Sequence, residues 1–479
     1  MTLPAPSLAD LNAELARREL AEFVRQSWHV LEPGVPLEWN WHLDAICLHV
    51  QAALEDWMRR QREPAFVQRF QNLAINVPPG SMKSRIVSVC APAWMWAKWP
   101  SWRAIFLSAN PRVALRDSVY CRDLIRSEWY RGLFKPGWTL KEDQDAKSKY
   151  DNTAGGFRMA MGITSRITGD RADVIFVDDP HDADEVHSKL KREEVLDRWD
   201  SAIANRVNDL RSSVRIGIMQ RLHEEDWTGH VLKQGGWEHL SIPQEFDPSQ
   251  ARTTAIGWRD PRTVEGELMF PARFPAHVLA QEKRRLGSAG YAGQHQQRPA
   301  PASGNVFRRE WFKRYRVAPS DLDTVILSWD CAFKGASDSD YVVGQVWGRK
   351  GADKYLLSQV RAQMGFAATL AAFKDLATAW PAASAKYVED KANGPAIIET
   401  LQREFPGVIP VNPEGGKEAR AAAVSPQVEA GNVWLPESAD WVADFIEECC
   451  VFPRGAHDDQ VDAMTQALNR LSQSGFAFV

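Results

Sequence analysis

Asn76-Val77-Pro78-Pro79-Gly80-Ser81-Met82-Lys83-Ser84 is the stretch that decides the fold of this chain. The apolar run Leu73-Ala74-Ile75 before it reads as a strand, and Ile86-Val87-Ser88-Val89-Cys90 after it reads as a buried helix. A strand, a tight Pro/Gly turn and Lys-Ser at a helix start make a phosphate cradle, because backbone N–H groups and the positive end of the helix converge on an anion. Pro79, Gly80, Ser81 and Met82 would line the cradle, Lys83 would sit on the β- and γ-phosphates of ATP, and Ser84 would hold Mg²⁺. In the standard pattern G-x-x-x-x-G-K-[ST] the glycines fall on Val77 and Met82, so Gly80, Lys83 and Ser84 carry the match.

Upstream, residues 7–27 have helical periodicity, and Pro33-Gly34-Val35-Pro36 breaks it. Trp39-Asn40-Trp41-His42 then opens a second amphipathic helix running to about Trp57. Trp39 and His42 are candidates to pack on an adenine. Downstream, Arg103 to Ala109 reads as a buried strand and Val113 to about Arg126 as a helix. Strands and helices alternating at this spacing imply an α/β domain with a parallel, doubly wound sheet.

The second half of the nucleotide site is Ala172-Asp173-Val174-Ile175-Phe176-Val177-Asp178-Asp179-Pro180. It reads as a buried strand that delivers acids to the carboxyl edge of the sheet, where α/β ligands bind. Asp178 would hold the water shell of Mg²⁺, and Asp179 would orient or deprotonate the attacking water. Arg166 or Arg171, just ahead of this strand, could serve as an arginine finger, in a neighbouring subunit if the protein forms a ring. The strand Val214 to Met219 runs into Gln220-Arg221-Leu222-His223, a polar strand end where hydrolysis could be coupled to motion.

From about Pro243 to Pro301 the composition shifts to Pro, Gly, Arg and Gln, with a helix expected from Pro275 to Leu286. The division this suggests is an ATPase domain with a helical lead-in over 1–245, a linker over 246–310 and a second domain over 311–479. In the second domain, Asp323 to Asp330 and Asp340 to Gly348 read as a hairpin with Ala332 to Ser339 as its loop. Ala385 to Asp390 is a further strand ending in acids, before a turn at Asn393-Gly394-Pro395, and Gly455 to Met464 opens a helix carrying Asp458, Asp459 and Asp462. Residues three and four apart share a helix face. Acids gathered from two strand ends and a helix start, at Asp330, Glu389, Asp458, Asp459 and Asp462, form the layout of a two-metal phosphodiesterase. Only a cluster of carboxylates can hold two divalent ions about 4 Å apart.

Composition narrows the class. The 479 residues, 44% apolar and 25% charged, are those of a globular protein of two to four domains. No apolar run approaches the roughly 20 residues that cross a bilayer, so no membrane role is expected. The N-terminus lacks a secretory pattern, and cytoplasmic residence is the expectation. Six Cys without a C-x-x-C pair read as reduced thiols. A net charge of −4 leaves room for a local DNA groove. Arg308, Arg309, Lys313 and Arg314 could contribute to such a groove, with a solvated face as the alternative reading.

Taken together, Pro78 to Ser84, Val177-Asp178-Asp179-Pro180, Arg221 to Asp226, Gln294-His295-Gln296-Gln297-Arg298-Pro299, Ser328-Trp329-Asp330, Val388 to Gly394 and His457 to Ala463 resemble the large terminase subunit of tailed bacteriophages. The resemblance implies an N-terminal P-loop ATPase of ASCE type that pumps double-stranded DNA and a C-terminal nuclease of RNase H-like fold, with a mixed sheet, that cuts concatemers. It implies Mg²⁺ or Mn²⁺ in the nuclease, a small terminase subunit, and a homo-oligomeric ring on the portal protein of the procapsid that is monomeric when free. By similarity Lys83, Ser84, Asp178 and Asp179 take ATPase roles. Asp330, Glu389 and Asp459 take metal-ligand roles, with Asp458 and Asp462 beside them. The alternatives are a helicase-like or transposase-like recombination protein and a catalytically silent prophage remnant.

Overall fold

The computed structural model describes residues 7–166, 169–299, 306–331, 341–390, 394–413, 415–455 and 457–473. The chain forms two compact units, Met1–Leu279 with Ala289–Ala302, and Ala280–Ser288 with Ser303–Val479.

The first unit is built on eight strands: β1 (Asn72–Asn76), β2 (Arg103–Ser108), β3 (Leu140–Asp145), β4 (Lys149–Asn152), β5 (Phe157–Gly162), β6 (Val174–Asp178), β7 (Val214–Met219) and β8 (Glu238–Ser241). Their order is β3-β4-β5-β2-β6-β7-β1-β8. From β5 to β8 every pairing is parallel, as the alternation of strands and helices predicts. Strands β3 and β4 add an antiparallel margin. Strand β7 lies between the phosphate-loop strand β1 and the acid strand β6, so the loop and the acids stand two strands apart on one edge.

Both faces of this sheet are apolar, which is why its strands read as continuous hydrophobic runs. Phe106, Phe176 and Ile216 pack on one side, and Ile105, Ile175 and Val177 on the other. Four tryptophans crowd residues 94–102, and three of them, Trp94, Trp96 and Trp102, are core residues. Gly217 in β7 is there for space: a Cβ would stand 2.1 Å from the ring of Trp227.

The structure revises the linker. Residues 246–279 fold onto the first unit and 280–288 belong to the second, with the helix Ala276–Gln294 broken at Gly287. Arg262 shows why the first stretch is not a free connector. It is 3% exposed, pairs with Asp260 at 2.7 Å, and donates to the carbonyls of Pro243, Gln244 and Glu267. A polar composition without periodicity conceals such a tertiary anchor.

The second unit carries a mixed sheet of β9 (Lys313–Tyr315), β10 (Thr324–Asp330), β11 (Val342–Lys350), β12 (Asp353–Ala362), β13 (Ala383–Glu389), β14 (Val408–Val411) and β15 (Val433–Pro436), in the order β14-β13-β10-β11-β12-β15-β9. Strands β10, β11 and β12 are antiparallel neighbours, while β13 runs parallel to β10. The helix Asp459–Gln473 covers one face through Val461, Met464 and Leu468, and the helix Phe366–Ala379 covers the other through Phe373 and Leu376. Gly344 in β11 repeats the device of Gly217, since a Cβ there would lie 2.5 Å from Trp329. The expected hairpin loop Ala332 to Ser339, and Asn393 of the turn after β13, lie outside the described residues. Among the described residues no helix is long and apolar enough to cross a membrane.

Two candidate active sites

In the first unit the phosphate loop leaves β1 and is pinned from behind. Val77 N donates to the Met219 carbonyl (3.3 Å), and Asn76 Nδ2 donates to Met219 O and to Thr228 Oγ1 (3.1 Å each). Within the loop Ser81 Oγ donates to Pro78 O at 2.8 Å. Gly80 has φ 74° and Met82 φ 58°. Met82 occupies the place of the standard pattern's second glycine and adopts the left-handed backbone a glycine would take there, at a cost of about 1–2 kcal/mol. The backbone of a phosphate cradle is therefore kept although the residue is not.

Loop and acids meet across β7. Lys83 Nζ lies 2.8 Å from Asp179 Oδ1. Ser84 Oγ donates to Asp178 Oδ1 at 3.0 Å, and Ser88 Oγ, one turn further, donates to Asp178 Oδ2 at 2.7 Å. Both carboxylate oxygens of Asp178 are thus held by hydroxyls of one helix face. Burial raises the Asp178 carboxyl to about 7, with Asp179 adding to the shift and Lys83 opposing it. Asp179 has φ 44°, with its backbone fixed on Ile218 O and Ala109 N (3.0 Å each). Its carboxylate also accepts from Gln220 N at 3.3 Å. The buried Arg158 of β5 supports Ser88 from below, donating to its carbonyl at 2.8 Å and lying 4.0 Å over Phe106.

Five sequence-derived candidates, His42, Trp39, Arg171, Arg221 and His223, are engaged away from the acids of this edge. His42 is 1% exposed, hydrogen-bonded to Asn40 at 2.7 Å and to the backbone of Ser81, and packed on Phe270. It braces the loop and has no face left for a base. Trp39 is half-buried, donates to Asp44 at 3.0 Å and has Arg25 stacked 4.0 Å over its ring. Arg171 is exposed and bonded to the carbonyls of Asn205 and Val207, at the amino end of β6. At about 3.3 Å per residue it stands roughly 20 Å from Asp178, out of reach of its own loop. Arg166, also exposed, follows β5 on the same edge as Asp178. Arg221 is buried on Asp226 (2.9 Å to each oxygen), and Asp226 caps the helix Trp227–Gln234. His223 accepts from Glu225 N at 3.0 Å, so Gln220 is the member of that segment which touches the acids.

In the second unit the parallel register Trp329↔Val388 brings the ends of β10 and β13 together, so Asp330 and Glu389 leave the sheet side by side. The helix Asp459–Gln473 is tied across them: Ser328 Oγ donates to Ala463 O, and Gln466 Nε2 donates to Ser328 Oγ, both at 2.8 Å. Burial raises Asp330 well above the carboxylate range, and Glu389, Asp462 and Asp459 each add to the rise. Lys417 Nζ lies 2.5 Å from Asp458 and 2.8 Å from Asp462, and Arg420 Nη2 lies 2.8 Å from Asp462. Among the described residues no three acids stand ready to hold a metal ion. The donor set nevertheless fits one. Asp330 is a buried carboxyl with Glu389, Asp462 and Asp459 near enough to raise it, and hard oxygen ligands are what Mg²⁺ and Mn²⁺ take.

Residues 327–471 match the family model of the Terminase RNaseH-like domain. Those residues lie within the second unit, whose fold is RNase H-like. Across both units the chain is similar to the large terminase of a thermophilic bacteriophage, with a TM-score of 0.51 at 11% identity over 88% of this chain and 98% of that one. The same phage protein in complex with ATP-gamma-S gives 0.50 at 11%, over 87% and 98%. The large terminase nuclease of the thermophilic phage G20c with bound magnesium is 18% identical, covering 36% of this chain and 99% of that one, with a TM-score of 0.28. No curated protein matches. The fold of the chain is therefore like that of a phage large terminase, a unit on a largely parallel sheet followed by an RNase H-like unit.

Within this terminase fold, reading the sequence misses Ser88, Lys417 and Arg420. Ser88 is open to such a reading, since it lies four residues after Ser84 on a helix. Nothing local ties Lys417 and Arg420 to acids some forty positions away.

Proposed function

We propose that this chain is the large subunit of a phage DNA-packaging motor, hydrolysing ATP in its first unit to move double-stranded DNA and cutting concatemeric DNA in its second. The observation that carries the reading is the pairing of two acid-lined sheet edges in one chain, Lys83 and Ser84 against Asp178 and Asp179, then Asp330, Glu389 and Asp459 together. In the first site Lys83 would leave Asp179 for the β- and γ-phosphates, which frees Asp179 to orient or deprotonate water. Ser84 and Asp178 would hold Mg²⁺, and Arg166 or Arg171 would serve a neighbouring subunit. In the second site Asp330, Glu389 and Asp459 would hold Mg²⁺ or Mn²⁺. A divalent ion bound there supplies polarisation of a phosphoryl oxygen and a water of lowered pKa. The partners this reading calls for are the portal protein of the procapsid, a small terminase subunit and further copies in a ring. Its place is the host cytoplasm, with transient residence at the portal.

The test is ATP hydrolysis with and without DNA, and plasmid cleavage in Mn²⁺, for wild type, Lys83→Ala and Asp330→Ala. Loss of hydrolysis alone in the first variant and of cleavage alone in the second supports two independent sites. Hydrolysis without cleavage under any divalent metal would leave a translocase or helicase and overturn the nuclease half.

A further inference from the structure

The helix Lys417–Glu429 opens with Lys417 and Arg420 in its first turn, where the helix dipole disfavours positive charge. Asp462 is what holds them there. Arg420 lies 2.8 Å from its Oδ1 and Lys417 2.8 Å from its Oδ2, and the Asp462 side chain is 4% exposed. Both of its oxygens are engaged by cations of its own unit. The two cations then differ. The Arg420 side chain is 11% exposed and also donates to Gly415 O, so it is buried in the clamp. The Lys417 side chain is 45% exposed. Its ammonium has three donors, of which Asp458 and Asp462 use two. It is also near enough to act electrostatically on Asp330.

Resting on the nuclease reading of this unit, we propose that Lys417 binds a DNA phosphate beside the acids of Asp330, Glu389 and Asp459, and that Asp462 with Arg420 positions Lys417 rather than holding metal. A non-bridging phosphate oxygen is the charge-assisted acceptor that an exposed ammonium with a remaining N–H fits. Because Asp462 sits one turn after Asp459 on the same helix, the clamp fixes Lys417 relative to the metal acids.

The experiment uses the full chain with a short DNA duplex in Ca²⁺, titrated over a range of salt, together with calorimetric titration of Mn²⁺. Lys417→Met should weaken duplex binding about tenfold and lower the slope of log affinity against log salt by about one. Lys417→Arg should restore that slope. Lys374→Met, which removes a surface lysine paired with Glu404, should change neither. Asp462→Asn should mimic Lys417→Met in DNA binding yet keep the Mn²⁺ stoichiometry that Asp459→Asn loses. An unchanged slope in Lys417→Met would overturn the proposal. So would tighter Mn²⁺ binding in that variant without loss of DNA affinity, since Lys417 would then only stand where a metal goes. Loss of Mn²⁺ binding in Asp462→Asn to the extent seen in Asp459→Asn would make Asp462 a ligand and would overturn it as well. A wild type that neither binds Mn²⁺ nor cuts DNA would instead bring down the nuclease reading itself.

Discussion

Both units mass carboxylates at the end of a parallel strand pair, and they neutralise them differently. In the first, Asp178 is wrapped by two hydroxyls from one helix and Asp179 by Lys83, all within hydrogen-bonding distance. In the second, Lys417 and Arg420 hold Asp462, and Asp330 stands among acids that push its carboxyl up. The first edge is a polar network closed by hydroxyls and a lysine, whereas the second crowds several acids around one buried carboxyl. A fully hydrogen-bonded polar network is rigid, and carboxylates crowded together favour a cation between them.

That contrast can be broken in several ways. The largest effect is expected for Asp179→Asn against Glu389→Gln. The first should lower ATP turnover by roughly 10²–10⁴-fold and spare cleavage, and the second should do the reverse by a similar factor. If either change crippled both activities, the two edges would not be separate sites. Ser88→Ala probes the closed network, and it should weaken the Mg²⁺ dependence of ATP turnover about 10–100-fold, as loss of a ligand's support does. An unaltered Mg²⁺ titration would mean that Ser84 alone orients Asp178.

Stability separates the units as well. Gly217→Ala and Gly344→Ala each drive a methyl into a tryptophan ring, which should cost about 1–3 kcal/mol. Calorimetry should show each shifting the melting of its own unit. A smaller effect comes from pH. In the first unit burial lowers His42, His49, His181 and His223 to about 4, and His239 to about 3. Below their usual value near 6.5 the unfolded chain binds protons that the fold excludes, so the stability of this unit falls as pH drops from about 6.5 towards 4. Asp178, raised to about 7, and Asp173, also raised by burial, work in the opposite sense, while burial lowers His187 along with the other five histidines. The melting temperature of the first unit should therefore fall on acidification over that window. Added Mn²⁺ should raise the melting of the second unit more at pH 8 than at pH 5, because the acids must shed protons to bind it.

The same contrast explains what is legible in the sequence. The phosphate loop, its strand and the acid strand β6 are each contiguous, so pattern and period expose them. Asp330, Glu389 and Asp459 stand out because each ends a strand or starts a helix, and the sheet register sets Asp330 beside Glu389. Met82 in a left-handed conformation cannot be read, since that position normally calls for glycine. The grip of Arg262 on the first unit and of Lys417 on Asp462 depends on contacts between distant stretches, which leave no local period. His42 is misjudged for the same reason, because burial under Ser81 and against Phe270 is decided by a segment more than two hundred positions away.

The order in which the acids enter the second unit has a consequence for synthesis. Asp330 and Glu389 end strands that can pair early, but the set is completed only by Asp459, on a helix that must still cross those strands through Ser328 and Gln466. On the proposed reading, a nascent chain halted between Asp330 and Asp459 carries the whole phosphate loop but an incomplete set of acids in the second unit. The order of synthesis would then leave the second acid cluster open until the first unit, made earlier, has had time to fold.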